Sequence, residues 1–549
     1  MARRVYCWLS AAVLLAVSVS WVAGAGATSA PATRPARRPA ARPAAAKAEE
    51  FPMPAVLLYT KDNAPPAPRL EDLPLKESVS QYGITWKFEK PARVGQFLNG
   101  DFYVVGAATV AGIDPAPRFG KDVADDEIDS YETKKLGQKT FTRDDVVRNG
   151  SVLNPPAKQE VGFDSGVKSY FKPGLASRLP IALNPGDSLV STISNKSGES
   201  GSFPYHAGGR RGDGDNSPVK TAAILTCVAA PQPADAFRPA YCDREQTIYL
   251  SRNLKRDLLK KFPRPDSTPK DLAVWVRVFQ RPWVNTGFFG FDQPMDNMPQ
   301  YGQWVGQAPS IAGCMLMLDY PPEQKEPLLV NVVQVGIDYW GAVKSGHPGW
   351  EGWGGHGSGR KFPVVLGGLL LGDEKMASPT AAFPKVNFGE DNQTMYGECW
   401  TGAKVCFAGH SGVHADGSIP RKAWGPYEHM RPADWDKPGQ SNMQSEAYRR
   451  ANSSTSWVGQ ALVMRMLQAE KQWNHDAFFD YVDRWMFEAD HDFRVEIGQK
   501  FPKLDIKDTQ QWACQGQAWE PFVTEMWKLH RTDSGMPPTD GWKTAKKNP

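Results

Sequence analysis

Residues Gly336–Gly372 read GIDYWGAVKSGHPGWEGWGGHGSGRKFPVVLGGLLLG. Apolar side chains dominate both ends of this stretch, and a turn rich in glycine, tryptophan and histidine joins them. Glycine lets two backbones approach each other where a Cβ atom would collide. The stretch therefore predicts a helical hairpin. Its turn carries aromatic faces and an imidazole and ends in Arg360 and Lys361.

Helical periodicity continues on both sides of this hairpin. In Leu328–Ser345 apolar residues recur every three or four positions, as expected for an amphipathic helix. Further helices are predicted over Leu254–Phe262, Leu272–Val284, Tyr301–Leu318, a segment from Arg360–Pro363 to Leu371, a segment from Ser454 or Thr455 to Met466, a segment capped by Asn474, and Trp519–Leu529. The pattern predicts a mainly helical domain of stacked hairpins over residues 244–549. A long insertion at 377–443 interrupts it, and loops of that length usually carry function.

The part of the chain before these helices is typical of a β domain. Residues 83–90 alternate in polarity, and short apolar runs follow at Phe102–Val105, Ala107–Val110, Ser188–Ile193 and Thr221–Val228. Turn signals such as Asn149-Gly150 separate the runs. Short strands between turns predict an antiparallel β-sandwich-like domain over residues 61–243. The expected fold class is therefore multidomain α+β.

The N-terminus has the composition of an export signal. Met1–Ala30 begins with two arginines, continues with an apolar run and ends in small residues suited to cleavage. A Pro/Ala/Arg tract follows, and residues 31–60 are predicted to be a disordered spacer. We expect a periplasmic or extracellular protein. No integral membrane span is expected after the signal is removed, because no other segment has about 20 consecutive apolar residues.

The distribution of charge and the cysteine content indicate which classes of protein this chain can belong to. The chain carries a formal net charge of +4, but residues 1–48 hold seven basic side chains and no acidic one, so the remainder is net negative. This distribution argues against a nucleic-acid-binding protein. In an exported chain the cysteines permit disulfides, and proximity in sequence favours Cys227–Cys242 and Cys399–Cys406.

Two segments carry a resemblance to a known family. Asp338–Gly372 and Ser453–Met486 resemble hairpins of the (α/α)-toroid carbohydrate enzymes, and most closely the alginate- and heparinase-type polysaccharide lyases. The resemblance implies an (α/α) toroid joined to a β-sandwich, and an acidic polysaccharide as substrate. In the heparinase-like members the sandwich follows the toroid, whereas here the β-rich part comes first.

Residues near the turn suit β-elimination at a uronate. That reaction needs a group that neutralises the carboxylate, a base that removes the adjacent proton and an acid that protonates the leaving oxygen. His356 is the candidate base and Arg360 the candidate carboxylate clamp. Tyr339 is a candidate acid or base, or a core residue on the apolar stripe. Asn452 either polarises the carboxylate or caps a helix.

The insertion adds a second group of candidates. Tyr396 and His410 are further candidate catalytic residues. Two thiols and two imidazoles are also the ligand types of a tetrahedral zinc site, and they are Cys399, Cys406, His410 and His414. Because the spacing matches no recognised finger and the cysteines are able to oxidise instead, no metal and no cofactor are expected; zinc or calcium is the alternative.

Aromatic side chains suggest where a glycan binds. Indole faces stack on sugar rings, and the candidate platforms are Trp350, Trp353 and Trp400. Lys361 and Glu398 are the candidate polar contacts. The sequence thus predicts an exported carbohydrate-active enzyme, a polysaccharide lyase acting on acidic polysaccharides or oligosaccharides. A glycoside hydrolase on the same toroid and a non-catalytic glycan-binding envelope protein are the alternatives. The hydrolase would use two carboxylates from among Asp338, Glu351, Glu398 and Glu446.

Overall fold

The structure is a computed structural model of the chain. It describes residues 51–136, 138, 141–158, 160–167, 170–195, 218–284, 297–299, 302–352, 355, 357–399, 402–407, 446–488 and 516–546. The predicted export signal and most of the predicted spacer lie outside these residues. From Met53 onward the described residues belong to one compact unit.

In the β-rich part, the described residues form ten strands. They are β1 (Leu75–Gln81), β2 (Ile84–Gln96), β3 (Phe102–Val105), β4 (Ala108–Asp114), β5 (Arg118–Phe119), β6 (Val147–Arg148), β7 (Ser151–Leu153), β8 (Ile181–Leu183), β9 (Ser188–Ser194) and β10 (Val219–Val228). Eight of them form one sheet in the order β7-β9-β10-β3-β2-β4-β8, with β1 also paired to β2. Strands β5 and β6 pair separately.

The long strand β2 makes the sheet continuous. Its first part pairs with β1 and β4, and its last residues pair with β3. The indole of Trp86 on β2 donates a hydrogen bond of 2.9 Å to the hydroxyl of Ser191 on β9, so the two strands face each other across a nearly closed sheet. Strand β10 pairs in parallel with β3. The prediction of an antiparallel arrangement is therefore corrected, because the large sheet is mixed.

The helices follow, with one short helix already inside the β-rich part. They are α1 (Ser130–Leu136), α2 (Leu272–Gln280), α3 (Gly302–Leu316), α4 (Pro322–Lys344), α5 (Lys361–Leu371), α6 (Glu374–Ala377), α7 (Pro379–Ala382), α8 (Gly389–Asn392), α9 (Glu446–Met466), α10 (Glu470–Trp473), α11 (Asp476–Phe487) and α12 (Pro521–His530). Four short strands lie between the later helices: β11 (Gly349–Trp350), β12 (Asn387–Phe388), β13 (Thr394–Tyr396) and β14 (Val405–Phe407). The α+β fold class is confirmed.

Three details of the helical prediction are wrong. Asn474 does not cap the following helix but ends α10 in a left-handed conformation, and His475 directly precedes α11. Leu254–Phe262 is not an α-helix but contains a single 3₁₀ turn, Arg256–Leu258, and another 3₁₀ turn, Ser251–Asn253, directly precedes it. The helix predicted to begin at Ser454 or Thr455 starts earlier, at Glu446, so Ser454 lies inside α9 rather than at its cap. Among the described residues, no helix is both long and apolar enough to cross a membrane.

Helices α3 and α9 pack closely through small residues. The Ser310 hydroxyl on α3 donates a hydrogen bond of 2.8 Å to the backbone carbonyl of Ser456 on α9. A Cβ atom added at Gly459 would lie 2.9 Å from the Ser310 hydroxyl oxygen. Close backbone approach therefore depends on glycine at this contact.

A buried ion-pair network joins the β-rich and helical parts. Arg238, in the loop after β10, contacts Asp101 in the β2–β3 turn at 2.6 Å and Asp338 on α4 at 2.6 Å. All three side chains are at most 1 % exposed. Burial raises the pKa of Asp338 to about 6, although Arg238 opposes the shift. The predicted boundary between the two parts thus carries a charged, desolvated contact.

Candidate functional site

The turn predicted from the sequence joins α4 to α5 and is packed on both sides. Gly349 and Gly359 have φ angles of 102° and 92°, which strongly favour glycine. A side chain at Gly349 would collide with the backbone of Asn387 in β12, and one at Gly359 with the backbone of Val305 and Gly306 in α3. The turn is therefore fixed between β12 and α3.

Helix α8 holds the turn through two of its side chains. The backbone N–H of Gly352 donates to Asn392 Oδ1 at 2.9 Å, and that of Gly359 donates to Glu390 Oε1. Glu390 Oε2 and Asn392 Nδ2 are buried and make no hydrogen bond within the described part of the chain. Buried polar atoms of this kind are uncommon and call for a reason.

Tyr339 and Arg360 meet at this turn. Arg360 directly precedes α5, donates to the carbonyl of Ser358 at 2.6 Å and is hydrogen-bonded to the Tyr339 hydroxyl on α4. Burial raises the pKa of Tyr339 to about 12, and the positive charge of Arg360 opposes this shift. Burial also lowers the pKa of Arg360, against the charges of Tyr339 and Glu390.

Glu390 completes what we call the turn cluster, namely Tyr339, Arg360 and Glu390. Its burial raises the pKa of the carboxyl group to about 7, and the hydrogen bond from Gly359 limits the rise. A carboxyl group with a pKa near neutrality both gives and takes protons at working pH. Strongly shifted groups of this kind are enriched at functional sites. The turn cluster is therefore the candidate functional site.

Lys361 is placed differently from its predicted role as a polar contact to substrate. Its ammonium group pairs with Asp391, donates to the carbonyl of Trp473 at 2.5 Å and lies 4.7 Å from the centre of the Trp473 ring. Its side chain is fully buried, and that burial lowers its pKa. The prediction is corrected, because these internal partners keep the ammonium away from a ligand.

Trp350 is also a core residue. It is completely buried, stacks on His347 with ring centres 4.4 Å apart and meets Tyr339 edge-on at 5.4 Å. A sugar needs an open ring face to stack on. The prediction that Trp350 is such a platform is therefore corrected, and its packing instead positions Tyr339.

Tyr396 and Glu398 lie near β13 and belong to other contacts. The Tyr396 hydroxyl donates to Asp480 on α11 at 2.5 Å, and Lys546 donates to the same carboxylate oxygen at 2.6 Å. Burial and the neighbouring Asp480 raise the pKa of Tyr396. Glu398 is largely exposed and pairs with Lys404. Neither residue contacts the turn cluster by any interaction that the structure describes.

One of the two predicted disulfides is confirmed. Cys399 and Cys406 are at disulfide distance, with Cα atoms 6.3 Å apart, so these two sulfurs do not act together as zinc thiolates. The predicted Cys227–Cys242 bond is wrong, since Cys227 carries a free, buried thiol that donates to the carbonyl of Gly106 at 3.1 Å. Within the described ranges no group of three or more His, Cys, Asp or Glu side chains is arranged to hold a metal ion.

Several predicted site residues lie outside the described residues. They are Trp353, His356, Trp400, His410 and His414. Asn452 belongs to α9, but its side chain is also outside the description. Their roles remain predictions.

Comparison with protein-family models, with curated proteins and with solved structures gives no match to this chain. The site is therefore interpreted from its own geometry. Glu390 and Asn392 escaped the sequence analysis, although a signal was present. Four consecutive polar residues, Glu390–Gln393, stand directly after the apolar Phe388-Gly389 pair, and all of them except Asp391 are buried.

Proposed function

We propose that this chain is an exported carbohydrate-active enzyme that cleaves acidic polysaccharides by β-elimination, and that its helical part has the (α/α)-toroid architecture. The observation that carries the proposal is the turn cluster. It places a cation, a carboxyl group with a pKa of about 7 and a phenol around one glycine-rich turn. These are the three kinds of group that the reaction needs.

Each residue of the turn cluster has one role in the proposed reaction. Arg360 binds the uronate carboxylate and stabilises the negative charge that develops beside it. Glu390, ionised, removes the proton from the carbon next to that carboxylate. The electron pair forms a carbon–carbon double bond as the bond to the glycosidic oxygen breaks, and the Tyr339 hydroxyl donates its proton to that oxygen. The products are one chain whose new non-reducing end is an unsaturated uronate and a second chain with a new reducing end.

Burial strengthens these interactions. Tyr339, Arg360 and Glu390 are at most 3 % exposed, and charges attract more strongly where water is excluded. The same burial requires that an acidic glycan reach a closed site. Asp338 and Glu398, two of the four carboxylates from which the hydrolase alternative would draw its pair, are paired with Arg238 and Lys404, which argues against a hydrolytic role for these two.

The test is a product assay with matched variants. Purified full-length protein is incubated with alginate, glucuronan, heparin or pectin, and the ultraviolet absorbance of unsaturated uronate is followed. We expect product from at least one glycan, and Glu390→Gln lowers kcat by about 100- to 10,000-fold. Glu323→Gln makes the same chemical change at an exposed carboxylate in the first turn of α4 and leaves kcat unchanged.

Three results would contradict the proposal. A flat absorbance trace on all four glycans excludes uronate β-elimination on these substrates. Reducing ends released without the ultraviolet signal select the hydrolase. Glycan binding without any product, unchanged in Glu390→Gln and Arg360→Lys, selects the non-catalytic glycan-binding protein. Tryptophan fluorescence of each variant shows whether it has folded.

A further inference from the structure

A separate cavity of about 280 Å³ lies beside α4. Its walls come from the segment at residues 53–56, the β2–β3 turn, α2 and α4. The lining residues are Met53, Pro54, Ala55, Val56, Asn99, Val276, Gln280, Pro327 and Asn331. Its volume is close to the lower limit of typical small-molecule sites, about 300 Å³. The cavity is therefore large enough for one small ligand.

The lining is apolar apart from three carboxamide side chains. Asn99 is occupied, because it donates to Asp101 at 2.8 Å and accepts from the Asp101 backbone at 3.2 Å. Asn331 is different. It is only 3 % exposed, yet among the residues that the structure describes its carboxamide makes no hydrogen bond.

The Asn331 carboxamide lines the cavity and is not one of the fully enclosed polar atoms without a partner. A ligand in the cavity would therefore meet a carboxamide that is open to hydrogen bonding. Asn331 lies one helical turn after Pro327, so both face the same side of α4. A ligand in the cavity would meet an apolar wall and a free donor–acceptor pair together.

We propose that this cavity binds a small uncharged ligand in which a carboxamide stands next to a compact apolar group, such as the acetamido group of an N-acetylated sugar. Asn331 donates to the carbonyl oxygen of the ligand amide and accepts from its N–H. The methyl group packs against Val276 and Pro327. No lining residue in the described part of the chain carries a charge, so a charged ligand would enter without a counter-ion.

This site is independent of the proposed lyase activity. Asn331 lies eight residues before Tyr339 on α4, which corresponds to about 12 Å along the helix axis. No lining residue belongs to the turn cluster. Ligand binding to the cavity can therefore be measured independently of any lyase activity.

The experiment is calorimetric titration of the full-length protein with N-acetylglucosamine, and with glucose as the ligand that lacks the acetamido group. We expect saturable binding of N-acetylglucosamine and at least tenfold weaker binding of glucose. Asn331→Leu removes the hydrogen-bonding group at similar volume, and Val276→Phe fills the cavity. Both variants lose at least tenfold in affinity.

A stability measurement separates binding from a structural role. Because the Asn331 carboxamide makes no hydrogen bond to any other residue that the structure describes, Asn331→Leu leaves the melting temperature unchanged or raises it. If Asn331 were a structural hydrogen-bonding residue, the melting temperature would fall. The proposal is overturned if N-acetylglucosamine gives no saturable signal, if glucose binds equally well, or if binding survives in both variants.

Discussion

The strongest stability prediction concerns Arg238, which lies between two acidic groups. Its Nε atom donates to Asp101 at 2.6 Å, and its two terminal nitrogens donate to Asp338 at 3.0 and 2.6 Å. Arg238→Met keeps much of the side-chain volume but leaves two carboxylates buried without their cation. Removing one partner of a buried ion pair costs about 3–5 kcal/mol. We expect a loss of unfolding free energy of about that size.

The loss should depend on pH in a defined direction. The pKa of Asp338 is already raised from 3.8 to about 6 in the folded state, and loss of Arg238 raises it further because the opposing charge is gone. A carboxyl group whose pKa is higher in the folded state binds more protons there, so it lowers stability as pH rises. The deficit of Arg238→Met should therefore be larger at pH 8 than at pH 5.

Urea unfolding followed by tryptophan fluorescence at both pH values measures the effect. Arg69→Met is the matched control, since Arg69 pairs with Asp72 on the surface with 72 % and 45 % of the two side chains exposed, and its unfolding midpoint should stay unchanged. Adding Asp101→Asn and Asp338→Asn to Arg238→Met should recover part of the loss. A deficit under about 1 kcal/mol, the range of exposed pairs, or an equal deficit at pH 5 and pH 8, would refute the reasoning.

Two further changes test other parts of the fold. Gly459→Ala places a methyl group 2.9 Å from the Ser310 hydroxyl oxygen and should cost about 1–3 kcal/mol through overpacking; thermal unfolding measures this, and Gly174→Ala, where nothing lies within 4 Å of the added atom, should be neutral. Burial raises the pKa of Glu390 from 4.5 to about 7, so this carboxyl group lowers stability as pH rises through that window. Between pH 5 and pH 8 the melting temperature of Glu390→Gln should therefore fall less than that of the unmutated protein. Identical pH profiles of the two melting temperatures would contradict the buried placement of this carboxyl group.

The sequence located most long helices because their apolar residues follow the helical period over many turns. It failed at Leu254–Phe262, where tertiary contacts override the pattern. The Lys255 backbone N–H donates to the carbonyl of Leu370 at the end of α5, and Arg256 binds Glu326 on α4. These external partners replace the hydrogen bonds that a continuous helix would make.

The candidate site was predictable only where it depends on the hairpin. Tyr339 and Arg360 were singled out from the sequence because they flank one turn, and the structure brings them together. Glu390 was not singled out, because its signal was only a run of four polar residues, and α8 with four residues is too short to show a helical period. Its position follows from the short parallel pairing of β11 with β12, a tertiary contact that a sequence pattern does not contain.

Helix α4 explains why this region carries both stability and proposed function. It is buried on all sides over most of its length, so its polar side chains require partners from neighbouring elements. The buried charged side chains of α4 have such partners, because Glu326 pairs with Arg256 and Asp338 pairs with Arg238. Within the described residues, the Asn331 carboxamide has no such partner and Gln334 Oε1 makes no hydrogen bond, while Tyr339 faces an arginine and a carboxyl group whose pKa is about 7. The paired charges hold the helix in place. The two proposals place a ligand at Asn331 and a substrate at Tyr339, so mutations at these positions and at the paired charges should have separable effects on binding and on stability.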